Sequence, residues 1–163
     1  DNAALWKALA DGEIQTVSTD HCSFTLQQKA AGKDDFTKIP GGMPGVETRG
    51  VLLYTYGVAA GRITAEKMAE VLSEAPAKLY GAYPRKGHIA VGADADIVVY
   101  EPNGETTITA ADQAANVDYA PYEGYAVAGH IAQVWLRGKQ VVHEGKILDD
   151  CGGIYISRKK SGL

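Results

Sequence analysis

Asp20 and His21 are the pair of adjacent residues in this sequence best suited to chemistry. They follow directly on Ile14 to Ser18 (IQTVS), a stretch rich in β-formers that predicts a strand. Reactive groups of α/β barrels lie at the carboxyl ends of strands, where the loops converge. An aspartate there can bind a cation and take up a proton. A turn-capping Asp with a packed His is the alternative, and two residues alone do not decide between these interpretations.

The other candidate groups give weaker signals. Cys22 is expected to be a buried structural thiol, because no His or Asn has the spacing of a cysteine protease. His88, His130 and His143 lack the i, i+4 spacing of a metal-binding pair on a helix. The glycine-rich stretch 41–45 lacks the Gly-Lys-Ser/Thr ending of a phosphate-binding loop. It predicts either a backbone loop that faces a ligand or an exposed linker.

Composition excludes several classes of protein. The 163 residues are 45% hydrophobic and carry a net charge of −4, which gives no strong electrostatic pull toward nucleic acid or anionic lipid. No run of 18 apolar residues is present, which excludes a transmembrane helix. Two cysteines do not make a disulfide framework and fit a reducing cytoplasm. Tyr119, Tyr122 and Tyr125 lack an accompanying basic groove, so packing or subunit contact is expected rather than base stacking.

Elements that would position these groups change type along the chain. In the first part, helices are predicted at Ala3–Ala10 and Val46–Gly61, after the N-cap residue Thr64, and around Pro76, which lies in the first turn of its short helix. The same part contains the predicted strand Ile14–Ser18 and a long loop from 25 to 45. The second part predicts strands at Ala95–Tyr100, Thr106–Thr109 and 145–147, a hairpin of Ile131–Leu136 with Gln140–His143, and a tail from Gly152 with solvated basic side chains. A helical part and a small β-module therefore meet in one chain.

Several blocks of residues, spread over nearly the whole chain, resemble the dihydropyrimidinase and D-hydantoinase group of the amidohydrolase superfamily. The blocks are Val17–Phe24, Gln28-Lys29, Gly32–Pro40, Gly45–Arg49, Ala75–Gly81, Tyr83–Val98, Val117–Tyr119, Tyr122–Gly124 and Val134–Gly138. The Gly-Ala-Asp-Ala-Asp segment is common to the superfamily. The Asp-His-Cys-x-Phe block together with the Ile-Pro-Gly-Gly loop is specific to this group.

The resemblance implies an α/β fold: the C-terminal part of a (β/α)8 metal-dependent hydrolase barrel plus part of a small β-sandwich. Residues 1–86 are expected to be the end of the barrel, with its last strand, substrate loop and closing helices. Residues 87–163 are expected to be the C-terminal part of the sandwich and the tail. A complete barrel takes about 250 residues, and the family's His-x-His, carboxylated Lys and later His ligands are absent here. The chain, which opens on Asp1, is therefore expected to be a piece of a longer enzyme.

The same resemblance implies a hydrolase that opens dihydropyrimidine or hydantoin rings to N-carbamoyl amino acids through a metal-bound hydroxide. Two zinc ions serve each active site of the family, and most of their ligands lie outside this chain. Asp20 matches the aspartate that ligates one metal and carries the proton. Gly41 and Gly42, in the loop from Pro40 to Pro44, match the segment whose main chain binds the ureide. Gly41 stands where some hydantoinases have Asn.

Partners and alternatives follow from the same comparison. A small cyclic ureide is the expected partner, with no nucleic acid and no membrane, in a cytoplasmic homotetramer that the tail helps to join. The chain by itself is expected to be inactive and to hold no dinuclear zinc site. One alternative is a non-catalytic dihydropyrimidinase-related scaffold protein, which would lack Asp20. Another is a dihydroorotase or allantoinase, which usually has Pro where this chain has Ser23.

Overall fold

A computed structural model describes residues 1–148 and 152–162. The helical elements are α1 (Asn2–Asp11), α2 (Leu26–Ala30), a 3-10 turn (Phe36–Lys38), α3 (Arg49–Leu53) continued by a π-helical turn (Tyr54–Ala59), α4 (Ala65–Ala69), a second π-helical turn (Glu70–Glu74) and α5 (Ala75–Leu79). The strands are β1 (Ile97–Thr107), β2 (Ala126–Leu136), β3 (Lys139–His143) and β4 (Lys146–Ile147). Among the described helices, none has the length and apolar character that crossing a membrane requires.

The first predicted helix is confirmed as α1, and Gly12 ends it in the left-handed conformation, with φ 83°. The predicted strand Ile14–Ser18 is wrong: the segment belongs to no strand and has no regular secondary structure. Two hydrogen bonds join it to later helical segments, from Val17 N to Val71 O and from Arg49 Nη1 to Val17 O. A strand requires a neighbouring strand for its backbone groups, and the described residues provide none beside this segment.

Two further expectations in the helical part need correction. The predicted loop from 25 to 45 contains α2, because Thr25 and Gln28 form a capping box. The short helix predicted around Pro76 is not separate but is the end of a helical run that begins after Thr64. Thr64 caps this run as predicted, because its Oγ1 accepts a hydrogen bond from the amide of Lys67. Pro76 lies at the start of α5, directly after the π-helical turn Glu70–Glu74.

The second part of the chain is a four-stranded antiparallel sheet in the order β1-β2-β3-β4. The predicted hairpin is confirmed: Arg137 and Gly138 form its two-residue turn, both with positive φ as the tight hairpin turn requires. The two strands predicted before it are one long strand, β1. Its register against β2 is interrupted between Glu101 and Glu105, where Pro102 cannot donate to the sheet.

The sheet module packs against the helical part through a small apolar core. Val51 and Leu52 of α3 contact the buried residues Ile108, Ala120 and Val127. Thr55 Oγ1 accepts a hydrogen bond from the amide of Ala128 on β2, at 3.0 Å. These contacts fix the loop between β1 and β2 relative to α3, and that loop reaches the candidate site.

A second core lies within the helical part, where Leu9, Leu53, Ile63 and Val71 pack together. Val71 has no exposed surface, whereas Val91 is fully exposed. Val71→Ala is expected to lower the free energy of unfolding by about 2–3 kcal/mol, because two methyl groups are lost and a cavity remains. The matched control Val91→Ala is expected to change it by less than about 0.5 kcal/mol. Equal effects of the two variants in urea unfolding would contradict this description of the core.

An open apolar groove of about 850 Å³ lies between α1, the segment before Asp20, and α3. Leu5 and Tyr125 line it and are 60% and 47% exposed. Contiguous exposed apolar surface is typical of a face that packs against another segment or partner.

Candidate active site

Asp20 presents an exposed carboxylate at the end of this segment. Its backbone is left-handed, with φ 49°, a conformation that Asp and Asn adopt more readily than most residues. Among the described residues its side chain has no hydrogen bond or ion pair. The carboxylate is therefore available to a cation, a water molecule or a substrate.

His21 holds the glycine-rich loop against Asp20. Its Nδ1 accepts hydrogen bonds from the amides of Gly45, at 3.1 Å, and Val46, at 3.3 Å. Because Nδ1 accepts, the ring proton of the neutral imidazole lies on Nε2. His21 also forms a parallel bridge with Met43, and the Cys22 amide donates to Met43 O at 3.2 Å. His21 therefore has a structural role here, with its Nδ1 already engaged.

Gly42 brings the loop backbone directly onto residues 20–22. Its φ is +76°, and a Cβ at this position would lie 2.7 Å from both Asp20 O and Cys22 Sγ. At Gly41, by contrast, an added Cβ would meet no atom within 4 Å. No partner for the N–H or C=O of Gly41 is found in the described part of the chain. The loop thus combines a tightly packed glycine with an open one whose peptide groups are free.

Of the predicted site residues, Gly42 lies against the backbone oxygen of Asp20, and Gly41 precedes Gly42 in the loop. The remaining histidines lie elsewhere: His130 Nε2 is 2.8 Å from a carboxylate oxygen of Glu144, and His88 packs against Tyr83. Cys22, predicted to be buried, is half-exposed and has a free thiol.

Three residues near the site escaped the sequence reasoning. Lys29 donates from its ammonium group to the carbonyls of Pro40 and Gly42. Glu47 accepts from the amides of Ala114 and Ala115, at 2.9 and 2.8 Å. Asp118 accepts from the amide of Leu26, at 2.9 Å. The Thr25-x-x-Gln28 spacing was the available signal for α2, whereas the long-range carboxylate contacts leave no local pattern.

Tyr119 lies in the loop between β1 and β2, next to Asp118. Burial raises the pKa of its hydroxyl, and the Asp118 carboxylate and the Cys22 thiol raise it further. The sequence predicted packing or subunit contact for this tyrosine. The sheet module does contact the segment after Cys22, since the Asp118 carboxylate accepts from the amide of Leu26.

A metal centre requires several donor side chains close together, and the His, Cys, Asp and Glu residues of the described chain can be tested for this. The exposed, unpartnered Asp20 carboxylate suits one position around a divalent cation. No group of three or more His, Cys, Asp or Glu side chains that could hold a metal occurs within residues 1–148 and 152–162. The described residues therefore offer one carboxylate donor and not a complete set of metal ligands.

Comparisons with known proteins give a consistent result. The sequence model of the amidohydrolase family matches residues 1–141. The chain is 44% identical over 160 residues to the D-hydantoinase of Geobacillus stearothermophilus, which covers 97% of the chain and 34% of that relative. It is 48% identical over 143 residues to the D-hydantoinase of Streptomyces coelicolor, covering 87% of the chain and 30% of the relative.

A solved structure agrees with these relatives. The crystal structure of the dihydropyrimidinase from Brevibacillus agri superposes with a TM-score of 0.93 at 42% identity, covering 99% of this chain and 35% of that one. The chain thus spans about a third of the length of the proteins it matches.

Proposed function

The chain belongs to the amidohydrolase family, and from this membership we propose that it supplies part of the active site of an enzyme that hydrolyses cyclic ureides. The ring of a dihydropyrimidine or a hydantoin would be opened to an N-carbamoyl amino acid. The names of the relatives, D-hydantoinase and dihydropyrimidinase, support this substrate class. The observation that carries the proposal is the exposed Asp20 carboxylate, which has no partner among the described residues, on a segment whose backbone packs against Gly42, the neighbour of Gly41.

Asp20 is the proposed catalytic residue. Hydrolysis of a ring amide requires a base that takes a proton from the attacking water and returns it to the leaving ring nitrogen. The Asp20 carboxylate has no competing hydrogen bond among the described residues, so both oxygens are free for these transfers. The left-handed backbone of Asp20, with φ 49°, determines the direction in which its side chain leaves the chain.

Gly41 is the proposed substrate-binding residue of the loop from Pro40 to Pro44. A ureide presents N–H donors and C=O acceptors, which backbone C=O and N–H groups can pair with. The C=O of Gly42 is engaged by Lys29, so we assign the polar contact to Gly41 and the close approach to Asp20 to Gly42.

Two zinc ions per active site are proposed, with Asp20 as one ligand and the others from outside the described residues. When bound, such metals activate water and polarise the ring carbonyl. One carboxylate cannot hold a divalent cation against water, since catalytic zinc usually has three protein ligands. Zinc titration of this chain alone by calorimetry is therefore expected to show no tight binding of two ions per chain, and tight binding would contradict the ligand assignment.

The proposed activity is testable in a chimera. Residues 1–163 replace the matching third of the Geobacillus stearothermophilus D-hydantoinase, and ring opening is assayed with dihydrouracil, hydantoin, dihydroorotate and allantoin. Hydrolysis of dihydrouracil or hydantoin is the expected result. Preference for dihydroorotate or allantoin would support a sister hydrolase instead. A folded, metal-loaded chimera inactive on all four would contradict the proposed function and favour the non-catalytic scaffold.

Assembly and location are proposed as a cytoplasmic homotetramer. In the tail, Ile154 is 53% and Tyr155 89% exposed, which is unusual for apolar side chains near a chain end. The tail is also fixed to its own chain, by hydrogen bonds from Lys159 N to Gly81 O and from Gly162 N to Lys78 O. Light scattering of the chimera is expected to give a tetramer that dissociates when residues 152–163 are removed. An unchanged molar mass after this deletion would show that the tail does not contribute to the subunit interface.

A further inference from the structure

Lys29 has an unusual environment for a lysine near a protein surface. Its side chain is half-buried, and its ammonium group donates to Pro40 O and Gly42 O. The same group lies 5.5 Å from the centroid of the Phe24 ring. Within the described residues no carboxylate pairs with it. Carbonyl dipoles and an aromatic face therefore solvate this charge, which makes both carbonyl contacts strong.

These contacts determine the shape of the loop. The carbonyls of Pro40 and Gly42 both face Lys29, and the N–H and C=O of Gly41 between them have no partner among the described residues. The backbone of Gly42 packs so closely against Asp20 O and Cys22 Sγ that no Cβ would fit between them. One ammonium group thus orders the segment that carries the proposed substrate contact and holds it against the proposed catalytic segment.

Lys29 is itself held by contacts from two directions. It lies on α2, which has only five residues and would be marginal by itself. The Thr25–Gln28 capping box fixes the start of this helix, and Asp118 accepts from the Leu26 amide. Asp118 belongs to the loop between β1 and β2, so the sheet module positions α2.

We propose that Lys29 is the positioning residue of the substrate loop, and that Asp118 supports it through α2. Lys29 does not touch the reacting atoms in this assignment. It keeps the Gly41 peptide groups presented to a ureide, so its loss weakens substrate binding. The catalytic consequence rests on the proposed function, whereas the ordering of the loop does not.

The test compares Lys29→Met with the matched control Lys33→Met, since Lys33 is exposed in the same segment and no side-chain contact of it is found in the described residues. Hydrogen exchange is measured in the chain at the amides of Cys22, Gly45 and Val46. Lys29→Met is expected to accelerate exchange there about tenfold or more, because two hydrogen bonds to a charged group are lost. Amides of β2 and β3 are expected to keep their rates, and Lys33→Met to change none.

Two further variants keep the proposal falsifiable if Lys29→Met fails to fold. Lys29→Arg retains the charge and the donors and is expected to restore much of the protection. Asp118→Ala is expected to accelerate the same amides by a smaller factor. Unchanged exchange in Lys29→Met, or acceleration spread equally over the sheet, would overturn the proposal.

The chimera separates this inference from the function. There Lys29→Met is expected to raise KM about tenfold with kcat changed much less, as loss of a binding contact does. A fall in kcat at constant KM would overturn the positioning role. If the parent chimera is inactive while the exchange pattern holds, the function fails and the role of Lys29 in ordering the loop stands.

Discussion

Asp20→Asn in the chimera is expected to lower kcat for ureide hydrolysis by about 10²–10⁴-fold or more, the usual loss when a catalytic proton carrier is removed. The amide of Asn neither accepts the proton of the attacking water nor binds a cation as a carboxylate does. Asn is the better substitution than Ala for this test because it tolerates the left-handed backbone at φ 49°, where Ala would add strain of about 1–2 kcal/mol.

The control for this variant is Asp34→Asn, which removes an exposed carboxylate from the same region of the chain. Its kcat is expected to stay within about twofold of the parent, because a surface substitution leaves the transition state untouched. Thermal unfolding of both variants is expected to match the parent. Near-normal turnover in a folded Asp20→Asn protein would refute the assignment of Asp20.

Gly42→Ala is expected to destabilise the site loop by about 1–3 kcal/mol, whereas Gly41→Ala leaves it intact. A methyl group at 42 is strained at φ +76° and meets Asp20 O and Cys22 Sγ at 2.7 Å, so the loop must move away from the catalytic segment. At 41 the methyl group enters open space. The two adjacent glycines thus form a matched pair.

The measurement is hydrogen exchange at the Cys22 amide, which donates to Met43 O, combined with kcat/KM of the chimera. Gly42→Ala is expected to accelerate exchange and to lower kcat/KM by at least tenfold. Gly41→Ala and Gly41→Asn are expected to leave the exchange rate unchanged. Equal effects at the two positions would show that the loop does not pack on residues 20–22 as described.

Local patterns in the sequence predicted the elements whose stability is local. The end of α1 at Gly12 and the hairpin turn at Gly138 both follow from glycines, which adopt positive φ readily. The Thr64 cap follows from a side chain that accepts from an amide three residues on. Each depends on a few consecutive residues and was predictable without a tertiary fold.

Elements that depend on distant partners were predicted less well. Ile14–Ser18 has the composition of a strand but finds no strand beside it in the described residues, so propensity alone gave the wrong state. The strands predicted on either side of Pro102 are continuous because β2 pairs with both. The missed helix α2 depends partly on Asp118, which lies 92 residues further along the chain.

The sequence by itself determined the family and the identity of the candidate residues, because the Asp20-His21-Cys22 block and the Gly41-Gly42 loop are contiguous motifs. Only the tertiary structure decided how they act together. In the folded chain Gly42 packs against the backbone oxygen of Asp20, and His21 Nδ1 accepts from the amides of Gly45 and Val46. The Lys29 ammonium group donates to the carbonyls of Pro40 and Gly42. These are contacts between segments about 10 to 25 residues apart or more, whose geometry depends on packing of the whole chain and leaves no spacing in the sequence.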